Sequence, residues 1–332
     1  MHLLKQLLWA SFSALLVAIV QPSEIFPNGI AIVALFALVP YFLAIRRATS
    51  KREAGLLGAV FGAIAHASTS YWLIFFQDFA IWTIGSTTIA YALLHVLIAQ
   101  FIYYFTRHSK SENVFNFNFF NSQRVICLAA VWTVWEYLKS IGFLGYPWGL
   151  LSTSFYRYPL LIQTADIFGI WGMGFFIAGF NATITEFLTS RRQSFSASRP
   201  ILVALAIFFI FSLAYGSVHL LSPTPHQNHI RLVLVQPNSD SWALDNEASV
   251  LATAQELSKK GLKNIDDAAY AVADAVADTA ASADLIVWPE TLLNRSYPHS
   301  PSYYSKTPKN ESFHSFLANI NRPLLTGEIG RA

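Results

Sequence analysis

The stretch Asp284-Leu285-Ile286-Val287-Trp288-Pro289-Glu290-Thr291 combines an apolar strand with an acid at its end. Three consecutive apolar residues favour a β-strand that is buried on both faces. Pro289 has no N–H group to donate, so the strand ends there and Glu290 follows at the edge of the sheet. In α/β enzymes the ends of central strands carry catalytic side chains. The stretch therefore predicts either an active-site carboxylate at Glu290 or a solvated acid that only closes an ordinary strand.

The composition indicates a membrane protein. Of the 332 residues, 54% are hydrophobic and only 12% are charged, and the mean hydropathy is +0.42. A soluble globular protein of this length is less apolar and carries more charge. The net charge is only +3, and the basic residues of the apolar part cluster in loops between apolar runs. No nucleic-acid partner is therefore expected. The single cysteine, Cys127, lies inside an apolar run and is expected to be a small buried hydrophobic residue.

Seven apolar runs are long enough to cross a bilayer, which takes roughly 17 to 25 residues. They cover residues 4–20, 29–45, 55–76, 81–105, 125–141, 161–188 and 201–221. The first run is interpreted as a helix and not as a signal peptide, because no small-x-small cleavage site follows it. The sequence therefore predicts about seven transmembrane helices.

The basic residues predict the orientation of these helices. Three loops on one side of the predicted membrane carry most of the lysines and arginines within 1–221, namely Arg46, Arg47, Lys51 and Arg52; Arg107, Lys110 and Arg124; and Arg191, Arg192 and Arg199. Cytoplasmic loops are enriched in lysine and arginine. We therefore expect Met1 in the cytoplasm and everything after Leu221 outside, which is the periplasm if the cell has two membranes.

The residues after the last apolar run predict an α/β domain. A linker rich in Pro, His and Asn occupies 222–229, and the domain itself occupies 230–332. Its predicted elements, in order, are a strand at 230–235, one or two Ala-rich helices at 245–281 interrupted near Gly261, the strand that ends at Glu290, a helix at 313–320 and a strand at 323–326. This alternation is typical of α/β domains. Three strands are too few for a sheet that buries both faces, so the domain is expected to be incomplete at Ala332.

Several polar residues lie within the apolar runs, where ionisable groups are costly. Glu136 and Lys139 end the fifth run, and Gln163, Asp166 and Asn181 lie along the sixth, between several glycines. One interpretation is structural: Glu136 pairs with Lys139, and the glycines let helices approach closely. The other is that these residues line a lipid or substrate pocket. Trp148, in the following loop, is either part of that pocket or an interfacial anchor.

Three motifs together resemble the apolipoprotein N-acyltransferase family. They are Gly145-Tyr146-Pro147-Trp148, Val235-Gln236-Pro237-Asn238 and the stretch from Ala283 to Thr291 that contains Trp-Pro-Glu-Thr. The resemblance covers essentially the whole chain. It implies a membrane α-helical bundle at 1–221, followed by the first part of an α/β nitrilase-like sandwich, the carbon–nitrogen hydrolase fold, at 230–332.

The resemblance also implies a reaction. Members of the family take an acyl chain from a phospholipid as a cysteine thioester and pass it to the N-terminal lipidated cysteine of a diacylglyceryl-lipoprotein. A glutamate at the position of Glu290 acts as general base, and a lysine stabilises the oxyanion. The expected partners are therefore the phospholipid donor, the lipoprotein acceptor and bilayer lipids. No cofactor and no metal is expected.

The chain departs from the family pattern in its catalytic residues. The lysine and the cysteine of the family belong to later strands, so the chain up to Ala332 is expected to be inactive alone. Lys306 and Lys309 follow Glu290 too closely to replace the lysine. Trp242 matches a family tryptophan only across a gap. Beside Glu290, the candidate substrate-binding residues are therefore Trp242, Trp148 and Glu136.

Two classes of function remain open. One is the acyltransferase, present as a fragment or as one half of a split enzyme that a second chain completes. The other is a non-catalytic membrane remnant that binds lipid. A transporter is the least favoured class, because the sequence shows no inverted repeat.

Overall fold

The computed structural model describes residues 1–75, 79–108, 117–142, 145–189, 194–222, 230–238, 247–273, 283–290 and 292–327. The chain forms two compact units, Met1–Pro223 and Thr224–Ala332. The described part of the first unit contains the helices α1 (His2–Val20), α2 (Val39–Arg47), α3 (Lys51–Thr69), α4 (Ser86–His108), α5 (Phe117–Ser140), α6 (Pro159–Ile162), α7 (Ala165–Thr189) and α8 (Ser194–Leu221). The predicted linker at 222–229 lies almost entirely outside the described residues.

Four helices in the described ranges are long and apolar enough to cross a membrane. They are His2–Val20, Ile81–Arg107, Ala165–Thr189 and Pro200–Leu221. These four correspond to the first, fourth, sixth and seventh apolar runs of the sequence. The helices α3 and α5 cover much of the third and fifth runs.

The prediction of one continuous helix over the second run, 29–45, is wrong. The structure has a 3₁₀ helix at Ala31–Leu35 and then the separate helix α2. Pro40 lies in the first turn of α2, where the missing N–H group of proline costs nothing. Asn181 of α7 satisfies the backbone at the break, because its Oδ1 accepts from the Leu38 N–H at 2.9 Å and its Nδ2 donates to the Ala34 carbonyl at 2.8 Å.

Helices α3 and α4 pack at very short range through glycines of α3. A Cβ atom on Gly58 would lie 2.2 Å from the His95 carbonyl oxygen, and one on Gly62 would lie 2.6 Å from His95 Cδ2. Small residues at such positions let two helix backbones approach closely. The core beside this contact contains Tyr41 and Phe61, whose rings stack at 4.0 Å.

A buried ion cluster joins three helices of the same unit. The Glu186 carboxylate of α7 is 1% exposed and forms ion pairs with Arg46 of α2 and with Arg124 of α5. A buried carboxylate is tolerated only when its charge is compensated. The cluster therefore holds the ends of these helices together.

The second unit contains a three-stranded parallel sheet in the order β1-β2-β3. The strands are β1 (Leu232–Leu234), β2 (Leu285–Val287) and β3 (Leu324–Leu325), and the helices are α9 (Glu247–Ala273), α10 (Pro301–Tyr304) and α11 (Phe313–Ile320). The predicted interruption near Gly261 is wrong, because α9 continues through it. A Cβ atom on Gly261 would lie 2.5 Å from Val233 Cγ1, so glycine lets α9 pack closely on β1 at this point.

One face of this sheet carries the core of the second unit. Val233, Ile286 and Trp288 are buried there with Phe313 and Phe316 of α11. On the opposite face Leu234 is 73% exposed and Leu325 is 58% exposed. The sheet is therefore covered on one side by the described helices.

Candidate functional site

Glu290 lies at the carboxyl end of the central strand of the second unit. The hydrogen-bond ladder continues one residue past β2, because the Trp288 N–H donates to the Leu325 carbonyl at 2.9 Å. Pro289 then interrupts the ladder, since it has no N–H group. Glu290 follows with an exposed side chain. The sequence prediction that Glu290 closes a central strand is therefore confirmed for its position.

Trp288 fixes the end of this strand in the core. Its side chain is 3% exposed, and its Nε1–H donates to Ser258 Oγ of α9 at 2.8 Å. Its rings lie 5.6 Å from those of Phe313 and of Phe316. A buried tryptophan usually finds a partner for its N–H group, and here that partner fixes the indole against α9.

The chain returns to the core directly after Glu290. Leu292 and Leu293 are 6% and 2% exposed, and Trp288 is 3% exposed, so the exposed Glu290 lies between two buried anchors. Within the described residues, no ion pair involves the Glu290 carboxylate. The backbone of Glu290 is thus fixed at the edge of the sheet by the buried residues on either side of it.

Two other polar residues follow strands at the same edge. Asn238 comes after β1 with a left-handed backbone at φ 53°, a conformation that asparagine tolerates better than most residues. Thr326 follows β3. Because the three strands are parallel, their carboxyl ends meet at one edge. Trp242, the candidate that follows Asn238 in the sequence, lies outside the described residues.

The other candidates for the catalytic chemistry lie elsewhere. Lys306 and Lys309 are exposed in the segment between α10 and α11. Cys127 is a free thiol on α5 of the first unit, and it is half-buried where the sequence predicted a buried residue. Burial of this kind suits a packing role more than a nucleophile.

Glu136 and Lys139 attract each other electrostatically but form no direct ion pair, which differs from the structural interpretation of the sequence. Instead, each binds the backbone of the loop that follows α5. Glu136 is 1% exposed, and its Oε1 accepts from the Leu151 N–H at 2.9 Å. Lys139 Nζ donates to the carbonyl oxygens of Trp148 at 2.9 Å and of Gly149 at 3.4 Å. The two charged side chains therefore both bind the segment from Trp148 to Leu151.

This loop presents Trp148 on the surface of the first unit. Trp148 is 54% exposed, and its ring lies 5.4 Å from that of Trp72. The Tyr146 hydroxyl donates to Ser70 Oγ at 3.0 Å. Burial raises the pKa of the Tyr146 phenol, and the hydrogen bond to Ser70 opposes that shift. In the described part of the loop, Tyr146 and Trp148 are therefore both held by contacts with the segment that follows α3.

Two histidines beneath this loop were missed by the sequence reasoning. His66 and His95 line a small cavity of about 30 Å³ together with Tyr91, Trp135 and Lys139. His95 is 3% exposed, and its Nδ1 has no hydrogen-bond partner among the described residues. Their occurrence in apolar runs was the available signal, because ionisable residues within such runs are rare.

The remaining polar residues of the sixth run have separate roles. Asn181 binds the backbone at the break before α2 and is 0% exposed. Asp166 Oδ2 accepts from the Tyr215 hydroxyl at 2.7 Å, which joins α7 to α8. Gln163 is half-buried just before α7. The structure therefore does not bring these three together in one polar pocket.

The first part of the chain matches the model of a known protein family. The model of the apolipoprotein N-acyltransferase N-terminal domain matches residues 9–183, which is more than half of the chain. The matched range includes Glu136, Lys139 and Trp148.

Curated relatives match nearly the whole chain. Apolipoprotein N-acyltransferase 2 of Treponema pallidum is 30% identical over 325 residues, which cover 95% of this chain and 56% of the relative. The protein of the same name from Treponema denticola is 29% identical over 92% of this chain and 55% of the relative. The apolipoprotein N-acyltransferase of Borreliella burgdorferi is 23% identical over 96% of this chain and 56% of the relative. The chain spans just over half the length of these relatives, and it belongs to the apolipoprotein N-acyltransferase family.

Proposed function

We propose that the protein transfers an acyl chain from a phospholipid to the α-amino group of the N-terminal lipidated cysteine of a lipoprotein. Membership of the family supports the reaction. The observation that carries the role of this chain is the exposed Glu290 carboxylate at the end of the central strand of the sheet. Chemistry at such strand ends is common in α/β enzymes.

In the proposed reaction, Glu290 is the general base. Its carboxylate takes the proton of a cysteine thiol, and the sulfur attacks the ester carbonyl carbon of the phospholipid. The ester C–O bond breaks, the proton passes to the departing lysophospholipid hydroxyl, and a thioester forms. The α-amino group then attacks the thioester, an amide forms and the thiol is regenerated. A lysine stabilises the oxyanion of each tetrahedral intermediate; this lysine and the cysteine are not assigned to residues of this chain.

The proposed site lies in a nitrilase-like domain at 230–332 outside the membrane, and the bundle at 1–221 is proposed to cross the membrane seven times, the second time through the broken helix at Ala31–Leu35 and Val39–Arg47. The basic clusters of the sequence support this orientation. It places Met1 in the cytoplasm of a bacterial cell and the domain on the outer side of the inner membrane. An alkaline phosphatase fusion after Leu221 is expected to be active, and a green fluorescent protein fusion at the same point is expected to be dark. The opposite pair of results would reverse the topology.

We further propose that Trp148 contacts the lipid substrates and that Glu136 positions the loop that carries it. The exposure of Trp148 and the hydrogen bond between Glu136 and the Leu151 N–H support these roles. Trp242 is proposed as a second substrate contact from its position in the sequence.

The proposal is tested in phospholipid vesicles with purified protein in which this chain is completed by the segment that supplies the catalytic lysine and cysteine. The substrate is a synthetic lipopeptide with a diacylglyceryl cysteine at its N-terminus, and mass spectrometry of the peptide is the readout. The expected product is heavier by one acyl group, which is attached through an amide to the α-amino group. A lipopeptide whose α-amino group is acetylated serves as the control and should remain unchanged. Absence of the amide product when the folded protein and both substrates are present in the vesicles would refute the proposal.

A further inference from the structure

A half-enclosed apolar cavity of about 460 Å³ lies within the first unit, between α7 and α8. Its longest walls are formed by Met173 to Phe180 of α7 and by Leu202 to Ser212 of α8. Leu35, Phe155 and Leu161 from shorter segments complete its lining. Apolar ligands bind in cavities of this size.

The lining leaves no polar group to be satisfied by a ligand. Ser212 carries the one hydroxyl of the lining, and its Oγ donates to the Phe208 carbonyl of its own helix at 2.9 Å. The Met173 sulfur accepts from the Thr164 hydroxyl at 3.3 Å. A polar ligand would therefore lose its hydration in this cavity without replacement hydrogen bonds. The lining selects a hydrocarbon.

The cavity is elongated along the two helices. With a rise of 1.5 Å per residue, the lining extends about 10 Å along α7 and about 15 Å along α8. The hydrocarbon core of a bilayer is about 30 Å thick, so each leaflet contributes about 15 Å. The groove thus has the length of an acyl chain that lies in one leaflet.

We propose that this groove binds one acyl chain of an intact bilayer phospholipid. Both helices are long and apolar enough to cross a membrane. In a bilayer the groove would therefore be surrounded by the acyl chains of lipids. Removal from water does not favour binding within a bilayer, so binding depends on packing contacts with the walls. The bound lipid is a structural ligand, and the inference does not depend on acyl transfer.

A filling variant tests this proposal with a matched control. Ala206 lines the groove, whereas Ile210 on the same helix is 64% exposed. The wild type and the variants Ala206→Phe and Ile210→Phe are purified in mild detergent and washed, and phospholipid per protein is measured by mass spectrometry. We expect retained phospholipid in the wild type and in Ile210→Phe, and a loss on the order of tenfold in Ala206→Phe. Equal lipid content in all three folded proteins would overturn the proposal.

Photolabelling of the wild type tests the site even if Ala206→Phe fails to fold. Vesicles contain a phospholipid with a diazirine on its acyl chain, and peptides that gain the label are identified. Labelling within 173–180 and 202–212 at levels above those of the other apolar helix faces supports the groove. Labelling that avoids both ranges would overturn the proposal.

Discussion

The hydrogen bond between Trp288 and Ser258 is expected to hold the strand end that carries Glu290. The substitution Ser258→Ala removes only one oxygen atom from a side chain that is 0% exposed. It leaves the Trp288 Nε1–H buried without the acceptor that it has at 2.8 Å. Ser258 also donates to the Ala254 carbonyl of its own helix, and the loss of that local bond matters little because the carbonyl keeps its helical partner.

The size of the effect follows from the unpaired N–H group. A buried donor without an acceptor costs about 1 to 3 kcal/mol. Because about 1.4 kcal/mol corresponds to a factor of ten, local opening of the sheet end should become about 5 to 150 times more frequent. The substitution Trp288→Phe removes the donor, so Ser258→Ala should cost much less in that background.

Hydrogen exchange measured by mass spectrometry on the full chain reports this opening. The peptide that contains the Trp288 amide, which is bonded to the Leu325 carbonyl, should lose protection by the stated factor. Thr253→Ala on the same helix is the control, because the Thr253 hydroxyl donates to the Ser249 carbonyl within α9. Unchanged protection in Ser258→Ala would refute the reasoning, and so would an equal cost of this substitution in the wild type and in the Trp288→Phe variant.

Three further substitutions test other parts of the structure. Asn181→Leu removes the acceptor of the Leu38 N–H and should lower the stability of the first unit by about 2 kcal/mol in thermal unfolding; an unchanged melting temperature would contradict this role. Glu186→Gln leaves the charge of Arg46 without its partner and should lower the stability of the first unit by about 3 kcal/mol in the same assay. A loss of stability no larger than that caused by replacing an exposed acid would contradict this role. Burial raises the pKa of Tyr304 from 10.0 to about 12. Its contribution to the stability of the second unit is therefore full below pH 10 and is lost as the pH rises towards 12. In a spectrophotometric titration, Tyr304→Phe should lack one late-ionising tyrosine, and an identical titration curve would count against the assignment.

The local pattern predicted the elements of the second unit well. The helix at Phe313–Ile320 has the predicted bounds, and β2 ends before Pro289 as expected, because chain-local features determine both. The error at Gly261 has a different origin. Glycine usually weakens a helix, but here it allows the close approach of Val233 from a strand that the sequence alone does not place.

Contacts between distant residues explain the other errors. The break in the second apolar run is supported by Asn181, which lies 143 positions away from Leu38. The pairing of Glu136 with Lys139 was predicted from their spacing of one helical turn. Both side chains instead bind backbone groups of the following loop, whose path depends on packing against other helices.

In the proposed reaction Glu290 is the general base, and this role is tested by the rate of acyl transfer by Glu290→Gln in protein that also contains the catalytic lysine and cysteine. Glutamine keeps the size and hydrogen-bonding capacity of the side chain but removes its basicity. The rate should fall by about 10² to 10⁴, with partial activity in Glu290→Asp because the carboxylate moves by about 1 Å. Glu311→Gln changes a partly exposed acid of the same unit and should leave the rate unchanged at equal protein level. A near-normal rate for Glu290→Gln would show that Glu290 only ends a strand.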